Sequence, residues 1–215
     1  MRTKLELPEM LTFGVRSAFE GALSVSIGDE KAKACRERLF ARYGSLATVL
    51  SEDAEEIARV GGVGMSTALL IKLIGYVNSR RVTERFELGK VHTELELRAY
   101  LSALFLGASV ESVYAILLDE RGRTVSVEHV SDGTVTSSDI VPRKVLEFAK
   151  RKKASTVILA HNHPKGSATA SGDDIMTTGR LCSVFAGVGV RLRAHYIVAD
   201  GEICKINAEE IYGNI

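Results

Sequence analysis

The sequence predicts an α/β (α+β) protein, a mixed sheet flanked by helices and preceded by a small all-helical domain. Three observations predict it. Up to about residue 85, apolar residues recur at helical spacing and glycines close the segments. From about residue 92 the period changes, and "SVYAILLDERGRTVSVEHVSDGTV" alternates apolar and polar residues around an Arg-Gly turn. Between such strand-like runs lie amphipathic segments of helical length, the pattern of a sheet covered by helices. The boundaries read as a helical domain over 1–85 and a sheet domain over 92–215.

Each element follows from its own residues. "GDEKAKACRERLFARYGS" opens on an acidic turn, is rich in helix formers and stops at Gly44. In "SLATVLSEDAEEIARVGGVGMSTALLIKLIGYVNSRR", Ser51 is expected to cap a short helix with acidic residues in its first turn. That helix breaks at Gly61-Gly62-Val63-Gly64, and a second runs from Met65 to about Arg80. Leu70, Leu73, Ile74 and Val77 recur at helical spacing and predict its buried stripe. "RRVTERFELGKVHTE" is charged without apolar period and reads as a linker, and "TELELRAYLSALFLG" as a further helix. After the first hairpin, "VPRKVLEFAKRKKAS" is an amphipathic helix with Pro142 at its start. "TVILAHNH" is a buried strand, "SGDDIMTTGRLCSVFAGVG" a helix capped by Ser171, and "RLRAHYIVADGEICKI" a final hairpin around Asp200-Gly201.

Composition narrows the function classes. The 215 residues carry a formal net charge of only +1, so nucleic-acid contact requires a local patch rather than a global field. No apolar run reaches the length of a membrane-spanning helix, and the start "MRTKLELPEMLTFG" lacks the apolar core of a signal peptide. Cys35, Cys182 and Cys204 lack metal-ligand spacing and read as small buried hydrophobes in a reducing compartment. The expectation is a soluble cytoplasmic protein.

The chemistry concentrates in "ILAHNHPKGSATASGDD". His161 and His163 are two apart at a strand end, so both rings project from one face and reach one ion. Pro164 and Gly166 bend the chain so that Asp174, in the first turn of the next helix, returns to them. Two imidazoles and one carboxylate suit Zn²⁺ with a fourth position open, the arrangement of a catalytic rather than a structural site. The spacing is not H-E-x-x-H, and the adjacent letters are not the dispersed triad of an HNH nuclease.

Read as His-x-His, seven residues, Ser, two residues, Asp, this stretch resembles the JAMM (MPN-plus) metalloprotease motif, with His161, His163, Ser171 and Asp174 at its positions. "YAILLDERGR", "VSDGTV", "VPRKVLEFAKRKKASTVILAHNHPKG" and "HYIVADG" narrow the resemblance to the RadC family over roughly residues 100–205. "RYGSLATVLSEDAEEIARVGGVGMSTALLIKLI" is similar to that family's helix-hairpin-helix segment. The chain departs from the family before residue 35. It also departs at Lys165, usually serine, and at Ala194-His195, usually Asp-His, which weakens a functional role for His195.

The resemblance implies zinc held by His161, His163 and Asp174, and a glutamate on an earlier strand that takes the proton from the water the ion activates. Glu111 matches that glutamate, with Glu120 and Glu128 as fallbacks, and Ser171 would donate to the oxyanion. His129 reads as structural and His92 as without signal. The implied activity is hydrolysis of a peptide or isopeptide amide, with a peptide or protein substrate. The alternative is a DNA-associated accessory protein of repair or recombination that uses the zinc fold as a platform. A metallonuclease is a third reading. The Gly61–Gly64 hairpin implies sequence-independent phosphate contact, with Lys72, Arg80 and Arg81 supplying charge, against a packing or protein–protein role.

Overall fold

A computed structural model describes residues 15–133, 140–164, 166–199 and 202–208. It divides into two compact units, Met1–Asn78 and Ser79–Ile215. In the first, α1 (Val15–Ile27), α2 (Asp29–Tyr43), α3 (Leu46–Ser51), α4 (Ala54–Gly61) and α5 (Met65–Arg85) follow one another, residues of α5 from Ser79 onward counting with the second unit. Leu23, Cys35, Leu39, Val49, Ile57, Ala68 and Ile71 form the core, each fully buried.

Helix α2 stops where the sequence predicts, with Gly44 at φ 77 and its N–H donating to Phe40 O. Two expectations are corrected. Ser51 does not cap α4; it is the last residue of α3, its hydroxyl donating back to Ala47 O, and Asp53 precedes α4 instead. The true cap in this stretch is Ser45, whose Oγ accepts from Thr48 N at 3.1 Å. The predicted stripe of α5 is also displaced. Leu73, Ile74 and Val77 are 54%, 41% and 55% exposed, while Thr67, Ala68, Ile71 and Gly75 are buried. Small residues win the inner face because a Cβ at Gly75 would lie 3.0 Å from Leu50 Cδ2, so the helix packs closer than large side chains allow.

The second unit contains α6 (Glu94–Leu104), β1 (Ser112–Leu118), β2 (Thr124–Asp132), α7 (Ile140–Lys152), β3 (Thr156–Asn162), α8 (Gly172–Ala186), β4 (Arg191–Ala199) and β5 (Glu202–Asn207). The strands order as β2-β1-β3-β4-β5, with β3 and β4 parallel and the other neighbours antiparallel. Alternation sorts the two faces. Ala115, Leu117, Val157 and Leu159 pack with Val145, Ala149, Leu181 and Phe185 of α7 and α8. Ile116, Ile158, Ala160 and Tyr196 pack with Leu97 and Leu101 of α6. Central β3 is covered on both sides, and all seven of its residues are buried.

Local signals set the ends. Thr93 and Glu96 form a capping box at the start of α6. Asp119 Oδ1 accepts from Arg121 N and Arg123 N to shape the β1–β2 turn, where Gly122 takes φ 75. The Asp200-Gly201 turn lies outside the described residues, though β4 and β5 pair as expected. The charged segment read as a linker is ordered: Phe86 stacks between His92 and Tyr100, and Thr124 pairs with Gly89 and Lys90. Cys35 and Cys182 are buried, but Cys204 is half-exposed. No helix of the described residues is long and apolar enough to cross a membrane.

Candidate metal centre

The site is built where β3 ends. His161 pairs with Val113 of β1 and Ile197 of β4, and its odd position turns its ring to the α8 side of the sheet. His163 lies just beyond the strand, held against β4 by its N–H to Val198 O at 2.8 Å. The chain then turns tightly, and a Cβ at Gly166 would come 3.3 Å from His163 Cβ, so glycine lets the turn close on that residue. Asp174 sits in the first turn of α8, in a reciprocal capping box with Ser171.

These elements bring together the three residues singled out as ligands. One donor atom from each of His161, His163 and Asp174 lies within 4.8 Å of the others. The two Nε2 atoms are 2.9 Å apart, and Asp174 places Oδ1 3.3 Å from His161 Nε2 and Oδ2 3.9 Å from His163 Nε2. His163 Nδ1 lies 2.9 Å from Ser167 O, which can only accept, so Nδ1 donates there and Nε2 is the atom turned toward His161 and Asp174. Burial pushes the His161 pKa down to about 4, with the Asp174 charge opposing and His163 assisting, so this ring is neutral at neutral pH. Burial works against the Asp174 carboxylate, but the Ser171 hydroxyl and N–H outweigh it, with His161 and His195 adding to them, and hold its pKa below the ordinary value. Two imidazole nitrogens and a carboxylate converging this closely are a donor set that fits a divalent cation.

The other predicted residues are placed as follows. Glu111 is half-buried immediately before β1, and its backbone O accepts from Gly133 N at 2.7 Å. Ser171 spends its hydroxyl on Asp174, donating to Oδ2 at 2.6 Å while accepting from Asp174 N. Glu120 is exposed in the turn beyond the opposite end of β1, and Glu128 faces Ser126, Arg151 and Lys152, so neither joins the cluster. His129 is exposed beside Asp132. His92 stacks on Phe86. Lys165 lies outside the described residues.

Two residues were not singled out by sequence reasoning. His195, discounted because Ala194 precedes it, is fully buried, with Nε2 2.8 Å from His161 Nδ1 and Nδ1 2.8 Å from Thr178 Oγ1. Asn162, between the two histidines, accepts from Ser112 N at 2.8 Å and donates to Val110 O at 3.1 Å, bracketing Glu111 from the β3 side. A polar residue inside an otherwise apolar buried strand was the available signal for Asn162. For His195 the signal was a histidine in the run "HYIVA".

Comparison with known proteins agrees with this geometry. A UPF0758 protein of Bordetella parapertussis is 31% identical over 203 residues, 94% of this chain and 87% of its own. One from Photobacterium profundum is 29% identical over 202 residues, with the same coverage of 94% and 87%. One from Vibrio vulnificus is 28% identical over 196 residues, 91% of this chain and 84% of its own. Residues 91–211, which contain the sheet and the whole His-His-Asp cluster, match the RadC-like JAB domain, and the chain belongs to that family.

Proposed function

We propose that this protein is a zinc-dependent hydrolase that cleaves a peptide or isopeptide amide bond. The observation that carries the reading is the convergence of two Nε2 atoms at 2.9 Å with the Asp174 carboxylate, inside a JAB domain. A divalent ion held there supplies Lewis-acid chemistry and brings the ionisation of a water toward neutral pH. The protein's own groups divide the remaining work. Strands β1 and β3 are antiparallel with Val113 opposite His161, and Glu111 lies two residues before Val113, just ahead of β1. Its position shares the parity of Val113 and His161, the side on which the imidazoles converge. A carboxylate there accepts a proton from the attacking water and returns it to the leaving amine. Ser171 donates its hydroxyl to Asp174 Oδ2 in the resting site, and in the reaction that hydroxyl would turn to the developing oxyanion.

The test is metal analysis of the purified chain with a screen of peptide and isopeptide substrates. About one zinc per chain is expected, with none in His161→Ala/His163→Ala. Full occupancy in that double variant rejects the ligand set.

A second reading, contact with the DNA backbone, is favoured by the helix connection of the first unit. Gly62 takes φ 62 between α4 and α5, and a Cβ at Gly64 would meet nothing within 4 Å. The Arg38 guanidinium lies against this turn, with Nη1 3.3 Å from Gly61 O. Two of the three charges first nominated are engaged elsewhere: Lys72 donates to Leu50 O and Glu52 O, and Arg80 pairs with Glu84. Arg38 is therefore a cation placed directly beside the hairpin. Binding should be weak, indifferent to sequence and steeply salt-dependent. It should fall in Gly64→Leu and Arg38→Gln without loss of zinc, and binding unchanged in both places the contact elsewhere.

A further inference from the structure

We propose that Thr178 and His195 form a buried positioning relay that fixes His161 in one tautomer and presents its Nε2 as the metal ligand before any ion arrives. The proposal rests on the metal reading above, but its geometry is independent of it. Thr178 is one helical turn after Asp174 on α8, and His195 lies on β4, so the relay ties α8 and β4 to the end of β3.

Counting protons along the chain leaves one solution. Thr178 Oγ1 is 2.6 Å from Asp174 O and 2.8 Å from His195 Nδ1. A carbonyl oxygen only accepts and the hydroxyl has a single proton, so that proton points at Asp174 O. The hydroxyl must then accept from His195, which places a proton on Nδ1. His195 is fully buried, and no carboxylate is within hydrogen-bond distance of its ring among the described contacts, so the ring is uncharged and its Nε2 is bare. His161 Nδ1, 2.8 Å away, must be the donor of that bond. His161 therefore donates from Nδ1 and turns Nε2 toward Asp174 and His163.

Reversing the chain fails at Thr178. If His161 accepted at Nδ1, His195 would donate from Nε2 and accept at Nδ1. The hydroxyl would then donate to His195, and two acceptor oxygens would face each other at 2.6 Å. The ligand atom of His161 is thus set by a threonine two residues removed from it in the hydrogen-bond chain. The helix turn that supplies the carboxylate ligand also supplies the anchor of the imidazole ligand. His163 is oriented separately, by Ser167 O. Outer partners of this kind fix ring orientation, and their loss commonly costs 10–100-fold in metal affinity.

The test combines zinc affinity with a direct view of the tautomer. Zinc competition against a chromophoric chelator compares the wild type with Thr178→Val, His195→Phe and His195→Gln. Thr178→Val is nearly isosteric, and His195→Phe keeps a ring. Glutamine at 195 retains an acceptor for His161 and a donor for Thr178. The relay predicts roughly 10–100-fold weaker zinc binding in Thr178→Val and His195→Phe and substantial recovery in His195→Gln. Long-range ¹H–¹⁵N spectra of the metal-free wild type should show His161 and His195 protonated at Nδ1. Wild-type affinity in both Thr178→Val and His195→Phe, or a His161 without a proton on Nδ1, overturns the relay. A wild type with the Nδ1 tautomers but no zinc binding overturns the metal reading and leaves the relay standing.

Discussion

Asn162 offers the sharpest test of how the site is assembled. Its side chain is 3% exposed, and its amide replaces a missing stretch of sheet by bonding Ser112 N and Val110 O on either side of Glu111. Asn162→Ala leaves both backbone groups without that partner. A net hydrogen bond contributes about 1 kcal/mol, and an orphaned buried group costs roughly 1–3 kcal/mol, so the loss should fall near 2–4 kcal/mol. Chemical denaturation reads that directly. Hydrogen exchange reads it locally, and the Ser112 amide should exchange about tenfold faster or more. Zinc affinity should change little, because the ligand rings are held by Ser167 and His195 rather than by Asn162. Amide hydrolysis should fall by up to about 100-fold, the cost of misplacing a reacting group by ~1 Å. Asn162→Asp should be no milder, since it keeps the acceptor for Ser112 N but sets an oxygen against Val110 O. If Asn162→Ala has unchanged stability and Ser112 exchange, the bracket around Glu111 is not structural. If it loses zinc, the residue supports the ligands instead.

Other expectations follow from single contacts. Glu111→Gln should keep zinc and melting temperature while lowering amide hydrolysis by roughly 10²–10⁴-fold, and activity equal to wild type moves the base elsewhere. The metal-free protein should lose stability in acid. His161 is depressed from 6.5 to about 4, so the unfolded chain binds more protons; stability present above pH 6.5 falls by about 3 kcal/mol as pH approaches 4. The buried His195 acts in the same direction. A urea midpoint constant from pH 7 to pH 4 contradicts neutral burial of these rings. Gly75→Leu should destabilise the first unit by about 1–3 kcal/mol through the clash with Leu50, whereas half-exposed Leu73→Ser should stay within about 0.5 kcal/mol in thermal denaturation.

Much of the fold was legible because the signals were local. Gly44 and Ser171 mark a helix stop and a helix start through their own backbone and side-chain bonds, and β3 is buried on both faces as its apolar run predicts. The failures occurred where a tertiary partner overrode the local pattern. Periodicity on α5 favoured its largest residues, but the proximity of Leu50 to Gly75 selected the small-residue face for burial. Ser45 and Ser51 are both plausible caps, and only the hydrogen bonds distinguish the one that accepts from Thr48 from the one that closes back on Ala47.

The same distinction explains which part of the site could be read. His161, His163 and Asp174 lie within one short stretch, where strand parity and one helical turn fix their faces, so spacing alone brings them together. The residues that orient them do not share that property. His195 is 34 positions from His161 and 17 from Thr178, and nothing in the intervening spacing sets a ring nitrogen 2.8 Å from a particular hydroxyl. That distance exists because β4 lies parallel to β3 with His195 opposite Leu159, and because α8 packs over both strands. Odd positions along β3 place His161 and Leu159 on the same face, so the register that buries Leu159 also carries the His195 ring alongside His161. One slip of that register would turn His195 to the opposite face and remove the hydrogen-bond acceptor for His161 Nδ1. The candidate ligands therefore depend on sheet register through their partner even though their own spacing is local. Ligand geometry and core packing are consequences of the same alignment of β3 with β4.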